Sequence, residues 1–434
     1  MSAFTIGLIG IGILFALLAL RTPVGFAMAA VGLAGITILQ NERAALATFS
    51  TETFELALKL DLIIIPFFVL MGNLAGVSGL SRNLYDAAYA WIGHRRGGLA
   101  SATILGCTGF SALSGSSVAS AVTMGQVALP EMRRYKYDEG FSAASVAAGG
   151  TLGILIPPST GFVLYALLTE QSIGQLFVAG ILPGILLMGL FLATIAIIAS
   201  LRPAVAPSGE RLTAHERRLA TLKALPFLLV VVGTVGGIYA GVFTPMESAA
   251  VGVVATLAIA LWRRSLTPSN FSRIVRQTVS TTVMCYTIII GANVLNPFLA
   301  RSGLTSWVSE TVLSLPMGAT ATLLLILLVF VLLGTFMEGF AMLVLLVPIF
   351  FPVIIALGVD PIFFGVLVVI ALEIGLITPP VGINVFVVKA LVPHVPSTKI
   401  FLGILPFVIS MLVGVSILLL FPQIALFLPS TMFR

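Results

Sequence analysis

Long apolar runs constrain this chain more than any other feature. Phe4–Leu20, Leu222–Val242 and Thr278–Val294 each approach the length needed to cross a bilayer core, about 20 residues of helix. Lipid offers no hydrogen bonds, so a spanning segment must pair its own backbone, and runs of this length do so as helices. Composition agrees. Of 434 residues 59% are hydrophobic and 9% charged, against roughly a quarter charged in an ordinary globular protein. With 22 Lys and Arg and 16 Asp and Glu, no charged skin is available for a soluble fold of this size. The chain reads as an all-α polytopic membrane protein.

Other classes fall away on the same evidence. Cys107 and Cys285 lie far apart in apolar surroundings, which leaves no disulfide framework and no thiolate metal site. His94, His215 and His394 fall near basic or polar connectors rather than in a cluster, and no GxxxxGK[ST] phosphate loop occurs. No Ser/His, metal or paired-Asp constellation falls at membrane depth, so an enzyme is not expected. The net charge of +6 is spread over short loops, which signals topology rather than a nucleic-acid partner. The first apolar run has neither a basic leader nor a small-residue cleavage site and reads as a retained helix.

Two connectors are plainly basic, Leu201–Lys223 and Arg263–Arg276, and by the positive-inside rule both are cytoplasmic. The segment Gly97–Pro130 has basic flanks at both ends, His94-Arg95-Arg96 and Arg133-Arg134-Tyr135-Lys136, so it enters and leaves on one side as a re-entrant hairpin. Propagated along the chain, this reading predicts about ten transmembrane helices plus two re-entrant hairpins, with both termini on the outer side. It places 18 of the 22 Lys and Arg on the cytoplasmic face.

The two halves repeat. Gly153-Ile-Leu-Ile-Pro-Pro158 matches Gly375-Leu-Ile-Thr-Pro-Pro380, Gly180-Ile-Leu-Pro183 matches Gly403-Ile-Leu-Pro406, and Ser78-Gly79-Leu80 matches Ser302-Gly303-Leu304. The first hairpin is entered from inside and the second from outside, so the repeats have inverted topology, an arrangement typical of secondary transporters. The predicted organisation is scaffold helices over 1–44, then a first repeat over 45–200 with hairpin 97–130 and broken helix 140–169. A cytoplasmic loop and central scaffold helices follow over 201–271. The second repeat covers 272–434, with hairpin 319–354 and broken helix 362–392.

Four backbone interruptions fall at membrane depth: the tips Gly109–Ser117 and Gly334–Gly339, and the two Pro-Pro breaks. Consecutive prolines remove two N–H donors and strip carbonyls of their intrahelical partners. Inside a membrane such carbonyls must line a cavity or bind a cation. Oxygen ligands without paired carboxylates suit Na⁺ better than a divalent ion. For a first site the candidates are the hydroxyls of Ser111 and Ser114 and the carbonyls of Gly153, Ile156 and Pro158. By the repeat offset a second site uses Gly334, Gly375, Thr378 and Val381. Small residues at these points also serve close helix packing. Ser116, Ser159, Thr160 and Asn384 stand where half-helices open, and helix N-termini attract a carboxylate; ordinary capping is the competing reading. Glu338 and Glu373 are charges where charge is costly. Glu338 is a substrate-site candidate that either titrates or pairs with Lys389, and Glu373 is expected to hold its own loop. The amphipathic stretches Arg82–Trp91 and Ser302–Leu315 read as interfacial arms joining a mobile block to the scaffold.

The run Gly150–Ser159, the hairpin Gly109–Ser117, the turn Phe243-Thr-Pro-Met-Glu247 and the run Thr378-Pro-Pro-Val-Gly-Ile-Asn384 together resemble the large membrane subunit of tripartite ATP-independent periplasmic (TRAP) transporters, over essentially the whole chain. The resemblance implies a Na⁺-coupled elevator importer in a bacterial inner membrane, with Na⁺ as coupling ion and no other cofactor. It implies the same two Na⁺ ligand sets. It also implies a separate four-helix membrane subunit, a periplasmic binding protein, and a carboxylate cargo such as a dicarboxylate, keto acid or sialic acid. A stand-alone Na⁺/dicarboxylate symporter and a channel are the alternatives.

Overall fold

The computed structural model describes residues 2–432, and every regular element among them is helical. The predicted outer placement of the chain ends concerns residues outside that range. Helices α1 (Ala3–Ala19) and α2 (Val24–Leu39) precede α3 (Glu42–Leu58), and a single 3-10 turn, Leu60–Ile63, leads into α4 (Ile64–Val77). The first arm is α5 (Leu80–Ile92). The first hairpin is α6 (Gly98–Ser114) with α7 (Ser117–Arg134). The first broken helix is α8 (Glu139–Leu155) with α9 (Thr160–Thr169), bent by 41°. Helix α10 (Ile173–Leu201) follows, then α11 (Ala214–Tyr239), α12 (Pro245–Trp262) and the 34-residue α13 (Pro268–Arg301). The second half runs through arm α14 (Leu304–Leu313), hairpin α15 (Ala319–Gly334) and α16 (Gly339–Ala356), and broken helix α17 (Pro361–Ile377) and α18 (Ile383–Leu391). It ends with α19 (Ser397–Leu420) and α20 (Gln423–Thr431).

The repeat extends to single hydrogen bonds. Ser78 Oγ donates to the Ala75 carbonyl and Ser302 Oγ to the Leu299 carbonyl, both at 2.8 Å, just ahead of the two arms. Pro183 and Pro406 both lie inside the helix that follows a broken pair. Helix α8 packs against both members of the first hairpin, and α17 against both members of the second. The halves also interlock: α7 lies on α18, and α16 lies on α9. Around this block α13 lies along α2 and α4, while α12 packs on α4 and α11 on α5.

Helix length does not by itself count ten crossings. Among the described residues seven helices are long and apolar enough to cross, or eight with the bent α8–α9 pair taken as one. The 17-residue α1, 16-residue α2 and 17-residue α17 fall just short of the 18 residues required, whereas α16 meets it as a hairpin arm. The structure also ends α19 at Phe421–Pro422 and starts a separate α20, a break the sequence reading passed over. Proline at 422 has no N–H to continue the ladder.

Candidate functional site

The first tip is two residues long. Ser114 ends α6, Gly115 turns the chain at φ 59°, and Ser116 caps α7 by accepting from the Ala119 amide at 3.4 Å. Thr160, the first residue of α9, donates its hydroxyl to the Gly115 carbonyl at 2.7 Å. A Cβ on Gly115 would stand 2.8 Å from the Pro158 carbonyl oxygen, and one on Gly153 2.6 Å from that of Ser116. Only glycine lets the tip and the break meet this closely. Beneath the tip, Ser114 Oγ lies 2.8 Å from Ser120 Oγ, which lies 3.5 Å from Ser111 Oγ. Ser111 in turn donates to the Cys107 carbonyl at 2.6 Å. Pro157 and Pro158 leave the Gly153 and Ile154 carbonyls without the donors that a continuous helix would supply. Neutral hydroxyl and carbonyl oxygens in a cradle that a Cβ would fill are a donor set that fits a small hard monovalent cation.

The second tip meets its break the same way. A Cβ on Gly375 would stand 2.7 Å from the Gly334 carbonyl carbon. Thr378 lies on this break but turns its hydroxyl back to the Ile374 carbonyl, at 2.6 Å, and its amide to Gly375, at 3.1 Å. The Val381 side chain is 36% exposed. The structure therefore joins Gly334 to Gly375 at the second junction.

Several individual expectations change. Glu338 does not pair with Lys389. It caps α16, accepting from the Ala341 amide at 3.3 Å, while the Lys389 ammonium reaches past its own helix end to the Pro393 and Val395 carbonyls. Asn384 is the second residue of α18, in its first turn, while Gly382 holds the cap position. Its side chain is fully buried, with both amide atoms lacking a hydrogen-bond partner. Ser159 takes the bland reading: it caps α9, accepting from the Phe162 amide at 3.3 Å. Glu373 does not hold its own loop. Its Oε1 accepts from Ser117 Oγ at 2.8 Å, tying the second broken helix to the start of α7 in the other repeat, and its Oε2 has no partner.

Beside the first tip opens a cavity of about 330 Å³. Ser114, Ser116 and Thr160 of the tip and break line it together with Asn73 of α4 and Arg273, Gln277 and Thr281 of α13. Phe340, two residues beyond the Glu338 cap, also borders it. The guanidinium of Arg273 is held by the Asn270 side-chain oxygen at 3.2 Å. Ser159, Asn384 and Glu338 do not line it. The sequence reading missed Arg273, Gln277 and Thr281, although polar residues four apart put one stripe on a single helix face; Arg273 entered it only as a topology charge. Ser117 lies within the predicted tip without a role of its own, and Ser120 was missed because it stands a turn inside α7, beyond the tip. A larger cavity, about 630 Å³ beside Lys59, Asp61 and Glu170, includes none of the tip or break residues.

Two interlocked repeats, each pairing a helical hairpin tip with a proline-broken helix beside a polar cavity, define the architecture of a membrane permease. The described chain matches the family "Tripartite ATP-independent periplasmic transporter, DctM component" over residues 11–424, and it belongs to that family. It is 40% identical over 405 residues to the C4-dicarboxylate TRAP transporter large permease protein DctM of Pseudomonas aeruginosa, covering 92% of this chain and 93% of that protein. It is 34% identical to the sialic acid TRAP transporter large permease protein SiaM of Vibrio cholerae, covering 96% of each. The solved structure of the Alcanivorax borkumensis YdaH transporter shares its fold, with TM-score 0.62 and 16% identity over 87% of each chain. The chain is thus a multi-pass transporter subunit and not an enzyme.

Proposed function

We propose that this chain imports a small organic acid by Na⁺-coupled secondary transport across a bacterial inner membrane. The carrying observation is the cavity at the first tip, which is lined both by hydroxyl residues of the hairpin and the break and by the cationic Arg273. A cavity of this size, lined by hydroxyl and amide side chains and one cation, suits a small carboxylate. The Na⁺ ligands are Ser111, Ser114, Gly153, Ile156 and Pro158 at the first junction and Gly334, Gly375, Thr378 and Val381 at the second. The contact of tip with break at both junctions supports this assignment. In the family to which this chain belongs the transporter is tripartite, so a separate small membrane subunit and a periplasmic binding protein complete it. The relatives named for C4-dicarboxylates and sialic acid support an organic acid as cargo.

The motion is an elevator. The cavity is lined both by the tip and break and by α4 and α13. Pulling a tip from its break would strand desolvated carbonyls in a dry interior at several kcal/mol each. Tip and break therefore travel together past the scaffold, and the arms α5 and α14 join the two bodies. The test is uptake of labelled succinate and of labelled sialic acid in proteoliposomes holding both membrane subunits, with the cognate binding protein outside. Uptake driven by an inward Na⁺ gradient and dependent on the binding protein is expected. Uptake of either acid without the binding protein favours the stand-alone symporter, and indifference to Na⁺ overturns the coupling.

A further inference from the structure

Resting on the organic-anion reading above, we infer that one face of α7 is a water-filled path by which the anion leaves the tip cavity, ending in a basic vestibule. The residues Ser116, Ala119, Thr123, Gln126, Pro130 and Arg133 recur at spacings of three and four, which puts them on one side of a helix. The upper part of this stripe, Ser116 to Gln126, lines the tip cavity. The lower part, Gln126 to Arg133, lines a second cavity of about 520 Å³. Gln126 belongs to both, so the two open onto the same side chain. From Ser116 to Gln126 the stripe runs about 15 Å, and from there to Arg133 about 10 Å more, at 1.5 Å per residue. Together they connect the tip to the basic flank that the charge pattern assigns to the cytoplasm.

The residues along this face do not suit lipid. Ala119, Gln126, Pro130 and Arg133 are exposed, and Thr123 is half-buried among them. A glutamine amide facing hydrocarbon leaves its hydrogen bonds unmade, whereas in a water-filled groove it is satisfied. Arg133 and Arg134 also stabilise the C-terminal end of α7 through the helix dipole, but that role does not account for Thr123 and Gln126 two to three turns earlier. The second cavity carries Arg133, Arg134 and His394 against one acid, Glu139. Glu139 is engaged by Arg133 Nε at 3.2 Å and by His394 Nε2 at 3.0 Å, so its charge is offset within the vestibule. Arg134 faces Glu131 at 3.8 Å from outside the lining. The lining itself holds two guanidinium groups against one carboxylate, an excess of one positive charge that biases its mouth toward anions, while Glu131 opposes Arg134 from outside.

The test reads accessibility and charge preference, independently of cargo identity or Na⁺ coupling. Gln126→Cys and Arg134→Cys are made separately in the assembled transporter; the native Cys107 and Cys285 are buried and give little background. Each is treated in inside-out and right-side-out vesicles with an anionic sulfonatoethyl and a cationic trimethylammonioethyl thiosulfonate, rates being normalised to a free thiol. At Gln126→Cys, reaction is expected from the cytoplasmic side, with the anionic reagent favoured at least about fivefold, as a focused positive field produces. Adding Arg134→Gln is expected to bring that preference toward unity without loss of assembly, because the Arg134 ion pair is exposed. Val232→Cys, on the exposed apolar face of α11, marks a lipid-facing thiol that only a lipid-soluble maleimide reaches. If Gln126→Cys behaves like Val232→Cys the face is covered by lipid, and equal rates for the two charges or access only from outside likewise overturn the path. Absence of Na⁺-driven uptake in the separate transport assay defeats the functional reading alone.

Discussion

Replacing Gly153 by alanine isolates the contact between hairpin tip and helix break. The added methyl would stand 2.6 Å from the Ser116 carbonyl oxygen and 2.7 Å from both the Ser116 carbonyl carbon and Ser117 Cα. Each is about an ångström inside ordinary carbon contact distance. All three atoms are backbone, so no side chain can swing aside, and the tip must retreat from the break. Overpacking of this kind typically costs about 1–3 kcal/mol. Gly153 carries no positive φ, so the cost is steric rather than conformational. The body of α8 remains packed on α6 and α7, so the protein should still assemble. If the first Na⁺ site spans tip and break, the penalty falls on the bound geometry, and about 1–3 kcal/mol corresponds to about a 5- to 150-fold loss of apparent Na⁺ affinity. The assay is the Na⁺ dependence of uptake in proteoliposomes, with Gly189→Ala as control because a Cβ there meets nothing within 4 Å. A Gly153→Ala transporter with unchanged half-saturating Na⁺ and normal turnover would refute the placement of the site.

Ser117→Ala removes the one side-chain hydrogen bond of the buried Glu373 carboxyl group and should destabilise the complex by about 1–3 kcal/mol in thermal unfolding. Glu373→Gln keeps an acceptor for Ser117 and should cost less; unchanged unfolding of Ser117→Ala would show that the bond contributes nothing. A flexible bis-thiosulfonate bridge between Ala119→Cys and Gln277→Cys, which both line the tip cavity, should halt uptake until reduced, and continued uptake in the crosslinked state would exclude relative motion of α7 and α13. A thiol at Thr213→Cys should react with an impermeant reagent only from the cytoplasm and one at Thr244→Cys only from outside; the opposite pattern inverts the charge-based topology. Burial, then Arg217, Arg211 and Arg95, hold His94 below the usual imidazole value. A depressed value means that His94 supports the folded state above about pH 6.5 and that this support is lost as pH falls through the lowered value. His94→Gln should therefore lose less thermal stability than wild type on acidification from about pH 7.5 to about pH 5.5. Equal losses would show that His94 does not titrate differently on folding.

The class of this protein was legible in its sequence because it follows from local properties. Apolar run length decides that helices cross a membrane, paired prolines decide where helices break, and Ser-Gly-Leu recurring before both arms decides that the chain is a repeat. The structure draws the hairpin tips and breaks at Gly115–Ser116, Thr335–Glu338, Pro157–Pro158 and Pro379–Pro380, where such residues leave no continuous ladder. What the sequence left undetermined depends on which helix face meets which neighbour across hundreds of residues. Glu373 reaches Ser117 only because the two repeats interlock, and Lys389 turns away from Glu338 because carbonyls beyond its own helix end are nearer. Arg273, read in sequence as one more basic residue of a cytoplasmic loop, lines the cavity only because α13 is continuous from Pro268 and packs beside α4. Periodicity along a helix determines which residues share a face; only the packing of α13 and α4 against the hairpin decides what that face encloses.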